Sequence, residues 1–187
     1  MSQTGGGKST LIRKIALAYA YPERRLRVYD GLPDKDWFLV YIKCRDLESS
    51  VAKSILEIIG TIVQRAEISK YKMAFEVLVE NALQDGRILL LIDGLDEISE
   101  ERYRICLADQ LRTFVATYPN VHLLITSRKA GFGAVAATIP GYCKQYTMEQ
   151  GQQKISRDEL QNCIIKARRE LPEILGYTEV SPSKFIE

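Results

Sequence analysis

Residues 5–10 read Gly5-Gly6-Gly7-Lys8-Ser9-Thr10 and run straight into Leu11-Ile12-Arg13-Lys14-Ile15-Ala16-Leu17-Ala18, whose spacing and composition are helical. Consecutive glycines can aim successive backbone N–H groups at one concavity, because residues without a Cβ tolerate the dihedrals and let phosphate oxygens come close. The helix that follows adds the positive end of its dipole. Lys8 then supplies a mobile cation for terminal phosphates, and the hydroxyl of Ser9 is placed to ligate the Mg²⁺ that bridges them. This is the logic of a P-loop, although the usual G-x-x-x-x-G-K-[ST] spacing puts its first glycine at position 2, where this chain has Ser2.

A second acidic element stands 85 residues beyond Lys8, where Leu89-Leu90-Leu91-Ile92-Asp93 ends an apolar run on a carboxylate. A Walker B aspartate belongs at such a strand end. Ligands of open parallel sheets gather at the carboxyl ends of the strands, so Lys8, Ser9 and Asp93 are expected to meet in one crevice. Asp96 and Glu97 follow after Gly94 and Leu95, and three carboxylates within five residues form a repulsive cluster that a divalent cation relieves. The plainer alternative makes Asp96 and Glu97 favourable charges ahead of a helix. Thr126-Ser127-Arg128 closes the next strand and can carry a guanidinium toward a γ-phosphate; otherwise Arg128 is a surface arginine.

The elements that must position these groups are legible in outline. Residues 37–44 are aromatic and β-branched and read as a buried strand, after which Asp46 is expected to cap a helix with an apolar stripe at Val51, Ile55, Ile58, Ile59, Ile62, Val63 and Ala66. A helix over 72–83 leads through Asp85-Gly86 into 87–93, apolar on both faces as the central strand of a parallel sheet. Ser99 is expected to start the next helix, with Tyr103, Leu107, Leu111, Phe114, Val115 and Tyr118 as its buried stripe, and 121–126 forms the following strand. A small-residue loop over 131–141, a short strand over 143–148 and a helix begun by a capping box at Ser156 complete the reading. Strands that alternate with long helices predict right-handed crossovers and an α/β fold.

Composition limits the alternatives. With 187 residues, 46% of them hydrophobic and 27% charged, the chain suits one globular domain. A net charge of +2 is too even to suggest attraction to nucleic acid as the main business, and Arg24, Arg25 and Arg27 read as a solvated loop cluster. The longest aliphatic run, 88–92, is far short of the roughly 20 residues of a membrane span. Cys44, Cys106, Cys143 and Cys163 form no C-x-x-C pair and read as reduced thiols, which together with the absence of a signal-like N-terminus predicts a cytoplasmic location. His122, the sole histidine, reads as a partly buried strand residue, and Trp37 and Phe38 as core.

Taken in order, the glycine loop with Lys8-Ser9-Thr10, Ile42-Lys43-Cys44-Arg45-Asp46-Leu47, Leu90-Leu91-Ile92-Asp93-Gly94-Leu95-Asp96-Glu97 and Leu124-Ile125-Thr126-Ser127-Arg128 resemble the NACHT family, a branch of the STAND signal-transduction P-loop ATPases. The distinctive feature is a tiny residue after the metal-binding aspartate and an extra acid two places on, here Gly94 and Asp96. The resemblance implies a three-layer αβα P-loop NTPase core with a mostly parallel sheet, binding of ATP or ADP with Mg²⁺, slow hydrolysis, and a switch that drives oligomeric assembly in defence signalling. By the same comparison Gly5, Gly6, Gly7, Lys8, Ser9 and Thr10 bind the nucleotide, with Lys8 on the β and γ phosphates. Ser9 and Asp93 hold magnesium, Asp96 or Glu97 the attacking water, and Arg128 the γ-phosphate; Arg45 also matches a family position.

The resemblance places a NACHT-like core at residues 1–150 and a short helical extension at 151–187. Only Met1 to Thr4 precede the glycines, so the usual first strand is expected to be missing and the chain to be truncated at both ends, with other copies of itself or flanking domains as partners. A gap in the sheet would leave buried backbone groups unpaired at about 1–3 kcal/mol each. Two further readings are a nucleotide-binding module without useful turnover and a gene fragment that binds nothing.

Overall fold

A computed structural model of the chain describes residues 8–21, 35–66, 69–136, 138, 139 and 143. Its centre is a parallel sheet of three strands, β1 (Phe38–Lys43), β2 (Ile88–Asp93) and β3 (His122–Ile125), in the order β1-β2-β3. The register pairs Lys43 with Asp93 and Ile92 with Ile125, so all three strands end at one edge. No gap separates these strands.

Every residue of β2 is buried, as its unbroken apolar run requires of a strand covered on both faces. Alternation sends Ile88, Leu90 and Ile92 to one face and Leu89 and Leu91 to the other. The first set packs with Ile55, Ile58 and Ile59 of α2 (Ile55–Arg65), Val79 and Ala82 of α3 (Lys72–Gln84), and Leu107 and Leu111 of α4 (Glu101–Thr117). The second meets Ile12 and Ile15 of α1 (Lys8–Ala20) together with Trp37. Helices on both faces of a parallel sheet make this an αβα architecture, as the sequence reading expects.

Several boundaries differ from expectation. Asp46 caps no long helix: it closes the 3-10 turn Cys44–Asp46, a second turn covers Glu48–Ala52, and Lys53 is extended with ψ 151°. The helix begins at Ile55 because Ser54 and Glu57 form a capping box, the Ser54 hydroxyl taking the Glu57 N–H and the Glu57 carboxylate taking the Ser54 N–H at 2.8 Å. α4 starts from Glu100 rather than Ser99, without a side-chain cap; Arg104 Nη1 instead donates to the carbonyls of Ile98 at 2.6 Å and Ser99 at 3.1 Å. The expected loop after Arg128 holds a short helix, α5 (Lys129–Phe132), and the 3-10 turn Gly133–Val135, whose Val135 is buried.

His122 is buried, with Nδ1 at 3.1 Å from the carbonyl oxygen of Asn120, and Trp37 joins the core, in line with their reading as strand and core residues. Cys44, Cys106 and Cys143 are free thiols. Gly5, Gly6, Gly7, the arginines at 24, 25 and 27, Cys163, residues 144–148 and the proposed extension at 151–187 lie outside the described residues. Among the described residues, no helix is long and apolar enough to cross a membrane.

Candidate functional site

The carboxyl edge of the sheet carries a cleft of about 230 Å³. Its walls come from three parts of the chain: Lys8, Ser9 and Thr10 of the first turn of α1, then Gly94, Asp96 and Glu97 after β2, and finally Thr126, Ser127 and Arg128 after β3. The parallel topology is what brings these distant segments together, since each follows a strand or opens a helix at the same edge.

Asp93 is buried below the cleft, and both of its carboxylate oxygens accept a hydroxyl. Thr126 Oγ1 donates to Oδ1 at 2.9 Å and Tyr41 Oη donates to Oδ2 at 2.8 Å. The Thr126 oxygen accepts the Gly94 N–H at 3.0 Å, while backbone bonds from Thr126 N–H to Ile92 O and from Leu95 N–H to Thr126 O, each 2.9 Å, pin the two strand exits together. The Tyr41 oxygen accepts from Arg13 Nε at 3.4 Å. Burial raises the Tyr41 phenol above its ordinary value, so it stays protonated and can donate.

The chain then turns sharply. Gly94 is left-handed at φ 76°, and a Cβ there would stand 2.8 Å from Glu97 Cδ, so the turn Leu95–Glu97 folds the Glu97 side chain back over a position that only glycine fills without strain. Asp96 and Glu97 part company at this turn. The Asp96 carboxylate accepts the Arg128 backbone N–H at 2.7 Å on Oδ1, and Oδ2 lies 3.4 Å from Arg128 Nε; its side chain is 14% exposed against 53% for Arg128. Glu97 is exposed at the cleft. A Cβ at Gly131 of α5 would fall 2.2 Å from Asp96 Cβ, so α5 lies directly against the same acid.

The expected crowding of three carboxylates around one cation is therefore corrected. Among the described residues no group of three or more His, Cys, Asp or Glu side chains stands together as a metal site, and Asp96 is relieved by Arg128. The Ser9 hydroxyl and the Glu97 carboxylate on the cleft wall, with the Asp93 carboxylate that Thr126 ties to that wall, are hard oxygen donors of the kind magnesium takes in ones and twos while water and phosphate complete its shell. The donor set fits that ion. Arg45 points its guanidinium to Asp46, Nε to Oδ1 3.6 Å, on the turn after β1. Cys44 beside it is buried, which with the nearby Asp93, Glu97 and Asp96 charges pushes its thiol up and removes it as a nucleophile.

The family model described as the NACHT domain matches residues 3–165, most of the chain and all of the segments that build the cleft. The chain belongs to the NACHT family. It is accordingly a nucleotide-binding P-loop NTPase domain. Comparison with curated proteins and with solved structures gave no match. Within this NACHT domain the glycines expected to cradle phosphate lie outside the described residues, whereas Lys8, Ser9, Thr10, Asp96, Glu97 and Arg128 all line the cleft and Asp93 lies beneath it. Tyr41 and the Thr126 hydroxyl hydrogen-bond Asp93, and Arg13 hydrogen-bonds Tyr41, contacts that the motifs alone do not mark.

Proposed function

We propose that this NACHT domain binds ATP with Mg²⁺ and hydrolyses it slowly, as the timing core of a signalling switch. The observation that carries the reading is the convergence of Lys8 and Ser9 with Glu97 and Arg128 on one cleft above Asp93. Gly5, Gly6, Gly7 and Thr10 would surround the phosphates, with Lys8 on the β and γ groups and Arg128 on the γ group, so that fixed positive charge faces the oxygens where charge builds during transfer. Ser9 and Asp93 would hold the magnesium, which when bound supplies further neutralisation of the phosphates.

Of the two acids assigned to the attacking water, Glu97 suits the task better, because Asp96 already accepts from Arg128 and is largely enclosed. Glu97 would orient the water and take its proton as oxygen adds to the γ-phosphorus and the bond to the bridging oxygen breaks, leaving ADP and inorganic phosphate. Asp96 holds Arg128 in place. We read residues 1–150 as the catalytic core and 151–187 as a helical extension. Family membership supports a cytoplasmic switch that assembles with other copies of itself or with flanking domains in innate defence.

The test is Mg²⁺-dependent phosphate release from ATP. Asp93→Ala combined with Glu97→Ala should reduce it at least a hundredfold, the order expected for losing one well-placed catalytic group; unchanged release would overturn the reading. The Asp96–Arg128 pair favours a second reading, binding without useful turnover, because it occupies two of the groups given to the chemistry. Tight ATP binding that Lys8→Ala abolishes, without Mg²⁺-dependent release, would select it.

A further inference from the structure

We infer that Tyr41 is a positioning residue for the magnesium ligand Asp93, and that Arg13 acts through it to tie the phosphate-binding helix to that carboxylate. The inference rests on the magnesium-dependent reading given above and extends it to residues outside the motifs. Its basis is the direction in which protons must point. Arginine only donates and an ionised carboxylate only accepts, so a phenol lying between Arg13 Nε at 3.4 Å and Asp93 Oδ2 at 2.8 Å has one possible arrangement: its oxygen takes the Arg13 hydrogen and its single hydrogen goes to Asp93. A parallel chain runs from the Gly94 N–H through Thr126 Oγ1 to Asp93 Oδ1. The two chains together fix the rotation of the carboxylate, which with a single hydroxyl would still be free to turn about χ2.

The placement of Arg13 gives this arrangement a use. Ser9 and Arg13 are four residues apart on α1 and share a face of the helix, so the turn that carries the proposed serine ligand also carries the donor that sets Tyr41. Tyr41 itself sits on β1 one side-chain alternation before Lys43, the register partner of Asp93, which brings its ring along the same face as the carboxylate. Helix α1, β1 and β2 are thereby joined through one phenolic oxygen at the point where both proposed magnesium ligands must be held at fixed separation. Outer partners of this kind orient a metal ligand, and their loss costs about 10–100-fold in metal affinity.

The experiment is a magnesium titration of a fluorescent ATP analogue bound to the full chain, with each variant also melted without nucleotide. Tyr41→Phe keeps the ring and removes the hydroxyl. It should raise the magnesium concentration for half-maximal binding about tenfold, while the binding measured in EDTA stays where it is and the nucleotide-free melting midpoint falls, because a buried Asp93 oxygen loses its donor. Arg13→Ala should give a shift of about twofold, as for a single exposed hydrogen bond, and no additional shift in a Tyr41→Phe background. Asp93→Asn tests the underlying reading. If Asp93→Asn shifts the titration and Tyr41→Phe does not, the positioning role is overturned and the site assignment stands; if neither shifts it, or the unaltered chain binds no analogue, the magnesium reading falls. Equal losses with and without magnesium in Tyr41→Phe would make the residue merely structural and overturn the inference, and additive effects of Arg13→Ala and Tyr41→Phe would remove Arg13 from it.

Discussion

Gly131 decides how closely α5 can lie against the acidic turn. A methyl group there would stand 2.2 Å from Asp96 Cβ and 2.7 Å from its Cα, and the second of these is backbone that cannot swing aside. Gly131→Ala should therefore destabilise the fold by about 1–3 kcal/mol, the usual range for overpacking, and urea unfolding will read it directly; an unchanged midpoint would mean that α5 does not rest on Asp96. At this scale the sequence reveals a residue when its type and spacing follow a motif. Lys8, Ser9, Asp93, Asp96, Glu97 and Arg128 were all legible in that way, and the structure puts each of them at or under one cleft. Tyr41 and Gly131 were not, for a physical reason. Tyr41 reads as one more aromatic in a buried strand, and its bond to Asp93 spans 52 positions, so it becomes meaningful only once the β1–β2 register is known. The same holds for the different surroundings of Asp96 and Glu97, which depend on a contact with Arg128 that is 32 positions away.

Among the elements, α2 departs most from its sequence pattern, and its N-terminus explains why. An apolar stripe of helical period runs from Val51 onward, yet the chain passes through two 3-10 turns and an extended Lys53 before the helix starts. Periodicity reports which side chains face the core, and successive turns can satisfy it as well as a helix can. The Ser54–Glu57 capping box marks the true start because it pairs N–H groups that the first turn would otherwise leave without partners. Ser54→Ala should cost about 1 kcal/mol at neutral pH. The hydrogen bonds from the Ser54 hydroxyl and backbone hold the Glu57 carboxyl below its ordinary value, so its share of the stability is present above the unfolded carboxyl pKa of about 4.3 and is lost as pH falls through the lower folded value. Urea midpoints of the two proteins should consequently converge between pH 7 and pH 3. A gap that stays constant across that range would show that Glu57 takes no part in the cap. Strands were legible to within a residue or two because β1 and β2 are apolar runs bounded by polar turns, as buried strands must be.

For the molecule as a whole, what matters is that the cleft belongs to no single element. α1 packs on one face of the sheet through Ile12 and Ile15, while α4 packs on the other through Leu107 and Leu111, and the walls of the cleft come from the start of α1 and the exits of β2 and β3. The order of the motifs made this convergence legible, since parallel strands joined by helices all end at one edge. The way the core divides between the two faces depends on side-chain alternation in three dimensions and was not legible. A ligand that spans such a cleft holds α1 to both strand exits at once, so separating any of these parts must release it, and unfolding of the domain must bear the full binding free energy. At a hundredfold excess over the dissociation constant that amounts to about 2.7 kcal/mol, which for a chain of 187 residues is a rise of about 5–10 °C in melting midpoint. Millimolar Mg·ATP should produce this rise by differential scanning fluorimetry, and Lys8→Ala should remove most of it because the ammonium is the mobile charge at the cleft wall. A rise that survives Lys8→Ala unchanged would put the nucleotide somewhere other than this cleft, and no rise at all would mean that the three walls do not close on a common ligand.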